Sequence, residues 1–118
     1  MGYKRPMLNF QKLDVYQRSI EFLALASQVG DHPPKGNASL LDQLRRAATS
    51  IPLNIAEAAG RTGRADMARA YAIARGSAME CAAALDALAL LKVVDIGTKD
   101  RGDRLLKGVV EMLTRMCR

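Results

Sequence analysis

Apolar side chains recur along this chain at steps of three and four, the spacing of a helix with a period of about 3.6 residues. Four such stretches are separated by proline and glycine punctuation. Over residues 11–29, Leu13, Tyr16, Ile20 and Leu23 mark one face, and Gly30-Asp31-His32-Pro33-Pro34-Lys35-Gly36 ends it, because paired prolines cannot continue a helical ladder. Over 38–59, Leu41, Leu44, Ala48, Ile51, Ile55 and Ala58 form a seam suited to shallow-angle packing. Pro52 falls inside that seam. It has no donor for the Ala48 carbonyl and predicts a bend, with two abutting helices as the alternative.

Gly60-Arg61-Thr62-Gly63-Arg64 closes the second stretch and opens the third, with Gly60 expected as a left-handed cap and Thr62 as an N-cap. The third stretch, 64–92, carries Met67, Tyr71, Ala74, Ala78, Cys81, Leu85 and Leu88, with the stem of Lys92 extending the series. After Asp95-Ile96-Gly97-Thr98-Lys99, a last helix over 100–116 places Leu105, Val109, Met112 and Met116 together, weakened by Gly102 and Gly108. No alternating run supports a sheet. Short connections make an all-α, antiparallel up-and-down four-helix bundle the expected fold, one domain spanning 1–118. Ile73, Ala84, Leu90 and Leu91 lie off the main stripe of the third helix, which suits either burial against a second copy or a wide internal core.

Composition refines this picture. Apolar residues make up 49% of the chain but aromatics only 4%, so the core must rely on aliphatic residues and alanines that let helices approach closely. The formal charge is +6, from 18 Lys and Arg against 12 Asp and Glu, which favours an anionic partner but also serves solubility. Cys81 and Cys117 lack ligand spacing and are expected as reduced packing residues, with a helix–helix disulfide as the alternative. With no signal-peptide pattern and no long apolar run, a cytoplasmic protein with no membrane partner is expected.

Six arginines, Arg45, Arg46, Arg61, Arg64, Arg69 and Arg75, fall between positions 45 and 75 against only Glu57 and Asp66, a local balance of +4. Their planar forks can grip phosphate oxygens, which makes them candidate nucleic-acid contacts. Arg46, Ser50, Asn54, Glu57 and Arg61 share a face of the second helix, and Arg69, Gly76 and Glu80, with Arg75 and Ser77 nearby, offer a matching strip on the third. A polar network between these helices can be structural, can contact nucleic acid or can form an active site. Carboxylates beside arginines are held ionised rather than poised for proton transfer, so no catalytic residue is assigned. His32 is the sole histidine, without clustered ligands; it is expected as an exposed loop residue, and no metal or other cofactor is implied. Gly60 and Gly63 could admit a phosphate but form no known nucleotide-binding motif, and a cap-turn-cap role is the simpler reading.

The segment from Leu41 to Arg61, the segment from Tyr71 to Cys81 and the opening Phe10-Gln11-Lys12-Leu13 together resemble the bacterial intervening-sequence or S23 family of four-helix bundles. The resemblance implies a homopentameric ring. It also implies kinship with the accessory proteins of reverse transcriptases in diversity-generating retroelements, so that partners would include the chain itself, RNA or DNA, and a reverse transcriptase. The family pattern marks Gln43, Arg45, Arg46, Ser50, Asn54, Glu57, Gly60 and Arg61, then Arg75, Gly76, Ser77 and Glu80; Ala58 stands where the family commonly has glycine. The expected function is therefore a non-enzymatic homo-oligomer with a basic surface, acting in nonspecific nucleic-acid binding or as a reverse-transcriptase accessory. The alternative is a structural or protein-interaction oligomer with no direct nucleic-acid binding.

Overall fold

The computed structural model describes residues 5–29 and 36–118; His32 and its Pro-Pro loop lie outside them. A 3-10 turn, Asn9–Lys12, leads into helices α1 (Asp14–Val29), α2 (Ala38–Gly60), α3 (Arg64–Leu90) and α4 (Ile96–Met116). Each helix packs on its neighbours in sequence and α4 closes against α1, with no diagonal pair in contact among the described residues. This is the expected up-and-down four-helix bundle.

Local chemistry sets the ends, several of them away from the expected positions. The first helix does not begin at residue 11. The Gln11 side-chain oxygen accepts from the Leu8 N–H at 2.8 Å, the Leu13 N–H turns back to the Phe10 carbonyl, and Leu13 is extended, so the helical ladder starts only at Asp14. Phe10 then rests edge-on against Tyr16, ring centres 5.1 Å apart. Gly60 takes no left-handed conformation and Thr62 is no cap. Helix α2 runs through Gly60, Arg61 ends it in an extended conformation, and Gly63 occupies the N-cap of α3, with Asp66 in the first turn answering the helix dipole.

The end of α3 is a Schellman turn built around Lys92. Its φ of 63° is left-handed, its N–H bonds the Ala89 carbonyl, and the Val93 N–H reaches back to Leu88 at 2.9 Å. Lys92 therefore leaves the helix as an exposed residue and does not extend the apolar series. Helix α4 starts at Ile96 instead of 100, because the Asp95 carboxylate accepts from the Thr98 N–H at 2.7 Å. That hydrogen bond also holds the Asp95 carboxyl below its usual range.

The expected seams of α2 and α3 are buried throughout except at Met67, which is half-buried, and Lys92. Pro52 sits within a continuous α2 and its ring joins the buried face, so two abutting helices are excluded. Helices α1 and α4 turn differently. The buried face of α1 is Val15, Ser19, Phe22, Leu25 and Ala26, while Ile20 is 40% exposed and Leu13, Tyr16 and Leu23 only flank the core. Ser19 can lie fully buried because its hydroxyl donates to the Tyr16 carbonyl at 2.6 Å. On α4 the core positions are Gly102, Leu106, Val109 and Leu113, with Leu105, Met112 and Met116 at the margin. Ala84 belongs to the core as well, whereas Ile73, Leu90 and Leu91 are exposed.

Two of the three glycines of α4, Gly102 and Gly108, face neighbouring helices, with opposite consequences. A Cβ on Gly102 would stand 2.7 Å from Leu85 Cδ1 and 3.4 Å from the Phe22 ring, both fully buried, so the glycine sets how closely α4 approaches. A Cβ on Gly108 would meet the end of the Arg18 side chain, which can swing into solvent. Lys99 adds a polar tie, its ammonium 3.2 Å from Asp86 of α3 and 2.5 Å from Asp103.

Gly102→Val is expected to lower unfolding stability by about 2 kcal/mol through overpacking, whereas Gly108→Ala should raise it by about 0.5–1 kcal/mol through helix propensity; urea unfolding of the two variants checks the opposite signs. By the same assay Lys92→Gly should gain about 1 kcal/mol, since glycine carries no side-chain penalty in a left-handed cap.

Candidate functional site

The face shared by α2 and α3 holds most of the residues singled out in the sequence. At its centre the Ser50 and Ser77 hydroxyls lie 2.8 Å apart, one from each helix. The Asn54 side-chain amide donates to the Ser50 carbonyl at 2.9 Å and to its hydroxyl at 3.0 Å. Three half-buried polar side chains thus satisfy one another across the helix pair, an arrangement two small hydroxyls permit because alanines on either side bring the backbones close.

The rest of the expected strip does not join this cluster. Arg46 pairs with Asp42 one turn earlier in α2 at 3.0 Å, and Arg61, just past the end of α2, pairs back with Glu57 at 2.5 Å. These side chains are half or more exposed, so the pairs hold little energy and can be exchanged for other partners. Gln43 and Glu80 are exposed, and neither takes part in an ion pair or side-chain hydrogen bond among the described residues. Arg75 points elsewhere: its Nε donates to the Thr114 hydroxyl of α4 at 2.8 Å, which places it in the α3–α4 groove.

Five of the six arginines are therefore exposed: Arg45 and Arg46 on α2, Arg61 at its end, and Arg64 and Arg69 on the first turns of α3. Arg45, Arg64 and Arg69 have no ion-pair partner among the described residues. Two depressions mark the surface beside four of the five exposed arginines. One is lined by Arg45, Arg46, Thr49, Ser50, Leu53 and Asn54; the other, by Glu57, Arg61, Asp66, Arg69, Ala70 and Ile73. Leu53 and Ile73 are 63% and 50% exposed, so each depression pairs arginines with an uncovered aliphatic side chain.

Leu53 was not singled out in the sequence because it stands off the buried stripe of α2, beside Pro52. Sequence reasoning also missed a cleft between α1 and α4, lined by Arg18, Glu21, Gln28, Arg101 and Arg104. Its residues recur at helical spacing within each helix, but the two groups lie at opposite ends of the chain, and nothing local announces that they meet.

Cys81 is fully enclosed and burial pushes its thiol up to about 12, which leaves it a packing residue; Cys117 is also free. Among the described residues no three His, Cys, Asp or Glu side chains converge as a metal site, and no helix is long and apolar enough to cross a membrane.

Comparison with known proteins agrees with the fold. No curated protein sequence matches the chain significantly. A crystal structure of a protein of unknown function from the S23 ribosomal protein family of Bacteroides thetaiotaomicron VPI-5482 superposes with a TM-score of 0.77, covering 88% of this chain and 98% of that one at 22% identity. At that identity the likeness speaks for the fold. The sequence profile described as 23S rRNA-intervening sequence protein matches residues 11–115, nearly the whole bundle, and the chain accordingly belongs to the 23S rRNA-intervening sequence protein family.

Proposed function

We propose that this chain works without catalysis, as a homo-oligomer that offers a basic surface to nucleic acid. The observation that carries the reading is the outer α2–α3 face, where exposed Leu53 lies beside Arg45 and Arg46 and exposed Ile73 beside Arg61 and Arg69, with Arg64 exposed at the start of α3. Uncovered aliphatic side chains favour contact with another copy, and arginines around such a contact line up into a band that phosphates can follow. The family resemblance supports a ring of five. A band of this kind reads charge and spacing rather than base edges, so binding is nonspecific, and it suits an accessory that holds template for a reverse transcriptase.

The ion pairs of Arg46 with Asp42 and Arg61 with Glu57 favour a second reading, in which the same face serves assembly alone and meets no nucleic acid.

Fluorescence anisotropy with labelled single-stranded and duplex RNA and DNA across a salt series separates the two. Saturable binding that weakens steeply with salt is expected, and replacing Arg45, Arg64 and Arg69 by alanine should flatten the salt slope by about 1 for each phosphate left without its arginine. Salt-independent or undetectable binding would leave the assembly reading standing. Light scattering tests the shared part: Leu53→Asp combined with Ile73→Asp is expected to reduce the mass to that of one chain with helicity retained, and an unchanged mass would exclude this face as the joint.

A further inference from the structure

The helices run up and down, so one end of the bundle gathers segments far apart in sequence: the lead-in turn with the start of α1, the end of α2, the start of α3 and the end of α4. Their closeness shows in a depression that Asp14 and Val15 share with Met112, Arg115 and Met116. The lead-in is fixed in place there, since the Gln11 side-chain oxygen accepts from the Leu8 N–H and Phe10 rests on Tyr16. Lys12 therefore stands on a set turn.

This end carries a charge excess that the sequence scatters. Lys12, Arg61, Arg64, Arg115 and Arg118 are all exposed. Two of the nearby carboxylates are already engaged, Asp14 with Arg18 at 3.1 Å and Glu57 with Arg61 at 2.5 Å. Asp66 alone is left against Lys12, Arg64, Arg115 and Arg118, none of which has an ion-pair partner among the described residues. About a turn further in, Glu111 is offset by Arg69. The opposite end has no such excess among the described residues: Lys99 lies between Asp86 and Asp103, and Lys92 and Arg101 are matched in number by Asp95 and Asp100. The bundle is thus polarised from end to end.

Neighbouring helix axes lie about 8–10 Å apart, so these cations are spread over the corners of the end rather than gathered on a point. A single phosphate cannot use such an arrangement. A chain of phosphates can, meeting one cation after another. Arginine supplies most of them, and its fork suits phosphate oxygens. Arg61 and Arg64 also border the α2–α3 face, so the end continues the arginine surface already described. We infer that this end of the bundle is the main seat of a nucleic-acid backbone, with Lys12, Arg64, Arg115 and Arg118 each meeting a phosphate. This extends the nucleic-acid reading and rests on it. Cyclic symmetry keeps equivalent points at one level along its axis, so in the proposed ring the basic ends form a single rim on which one strand engages several copies.

Two variants of the full chain test the inference. Lys12→Gln, Arg115→Gln and Arg118→Gln together strip the end alone, and Arg45→Gln with Arg46→Gln strips the α2–α3 face alone. In anisotropy with labelled RNA over a salt series, the end variant is expected to bind at least about tenfold more weakly than the parent, its salt slope lower by about 2–3, and the face variant to lose less. Light scattering should return the parent's mass for the end variant; weaker binding that comes only with loss of the assembly overturns the proposal. So does a parent that binds RNA beside an end variant of unaltered affinity and slope, or a face variant that loses more. If the parent binds no nucleic acid, the underlying reading fails and the proposal with it. Vesicles of phosphatidylcholine and phosphatidylserine supply the other anionic surface, because Met7 and Leu8 in the lead-in are 45% and 67% exposed. Vesicle binding tighter than RNA binding, and abolished by Met7→Ser with Leu8→Ser, would make this end a lipid anchor and overturn the proposal.

Discussion

The close approach of α2 to α3 governs the rest of this bundle. Ala48 and Ala58 on one helix and Ala74 and Ala78 on the other are fully buried, and between them Ile51, Ile55 and Leu85 fill the interior. Each such aliphatic side chain contributes about 1.5–3 kcal/mol when buried, and the alanines let the two backbones come near enough for this packing to form without voids. The same proximity brings Ser50 and Ser77 within hydrogen-bonding distance. Larger side chains along this seam would part the helices, open the core and separate the polar cluster together.

With that pair set, α1 and α4 complete the bundle by different means. Phe22 reaches the interior from α1 and meets α4 at Gly102, where the missing side chain makes room for the ring and for Leu85. Lys99 spans from α4 to Asp86 of α3, and Arg75 of α3 reaches Thr114 of α4. The α3–α4 groove is thus crossed by polar ties at two heights. The α1–α4 groove is filled less completely and keeps a cleft, and the outer α2–α3 face keeps exposed aliphatic residues beside arginines. Both are places where the packing of four rods leaves charged and aliphatic side chains uncovered.

Family membership fits this division. Most of the residues that carry the resemblance, from Leu41 to Arg61 and from Tyr71 to Cys81, lie on the central helix pair. Part of that motif is structural: Ser50, Asn54 and Ser77 bond to one another, and Ala58 is buried in the seam. Other parts, such as Arg45, Gln43 and Glu80, project outward with no partner in their own chain among the described residues.

The amino-acid order by itself determined the helical class, the number of helices and the inner faces of α2 and α3, because those faces are unbroken apolar stripes whose period permits one orientation. It did not determine the inner faces of α1 and α4. Each of these centres on a residue that a count of hydrophobic positions discards, Ser19 in one and Gly102 in the other, and such residues become core only when a carbonyl one turn back or a neighbouring ring is there to receive them. Helix ends divided likewise: prolines and glycines marked the breaks, and aspartate is a favoured helix cap, but the choice of Asp95 as the cap and the left-handed turn at Lys92 rest on hydrogen bonds that form in the fold. The arginine cluster was legible as charge, whereas its division between the open face and the Arg75–Thr114 hydrogen bond, and the placing of Arg18, Arg101 and Arg104 along one groove, were decided by tertiary packing, since groups far apart in sequence become neighbours only when the helices close around one core.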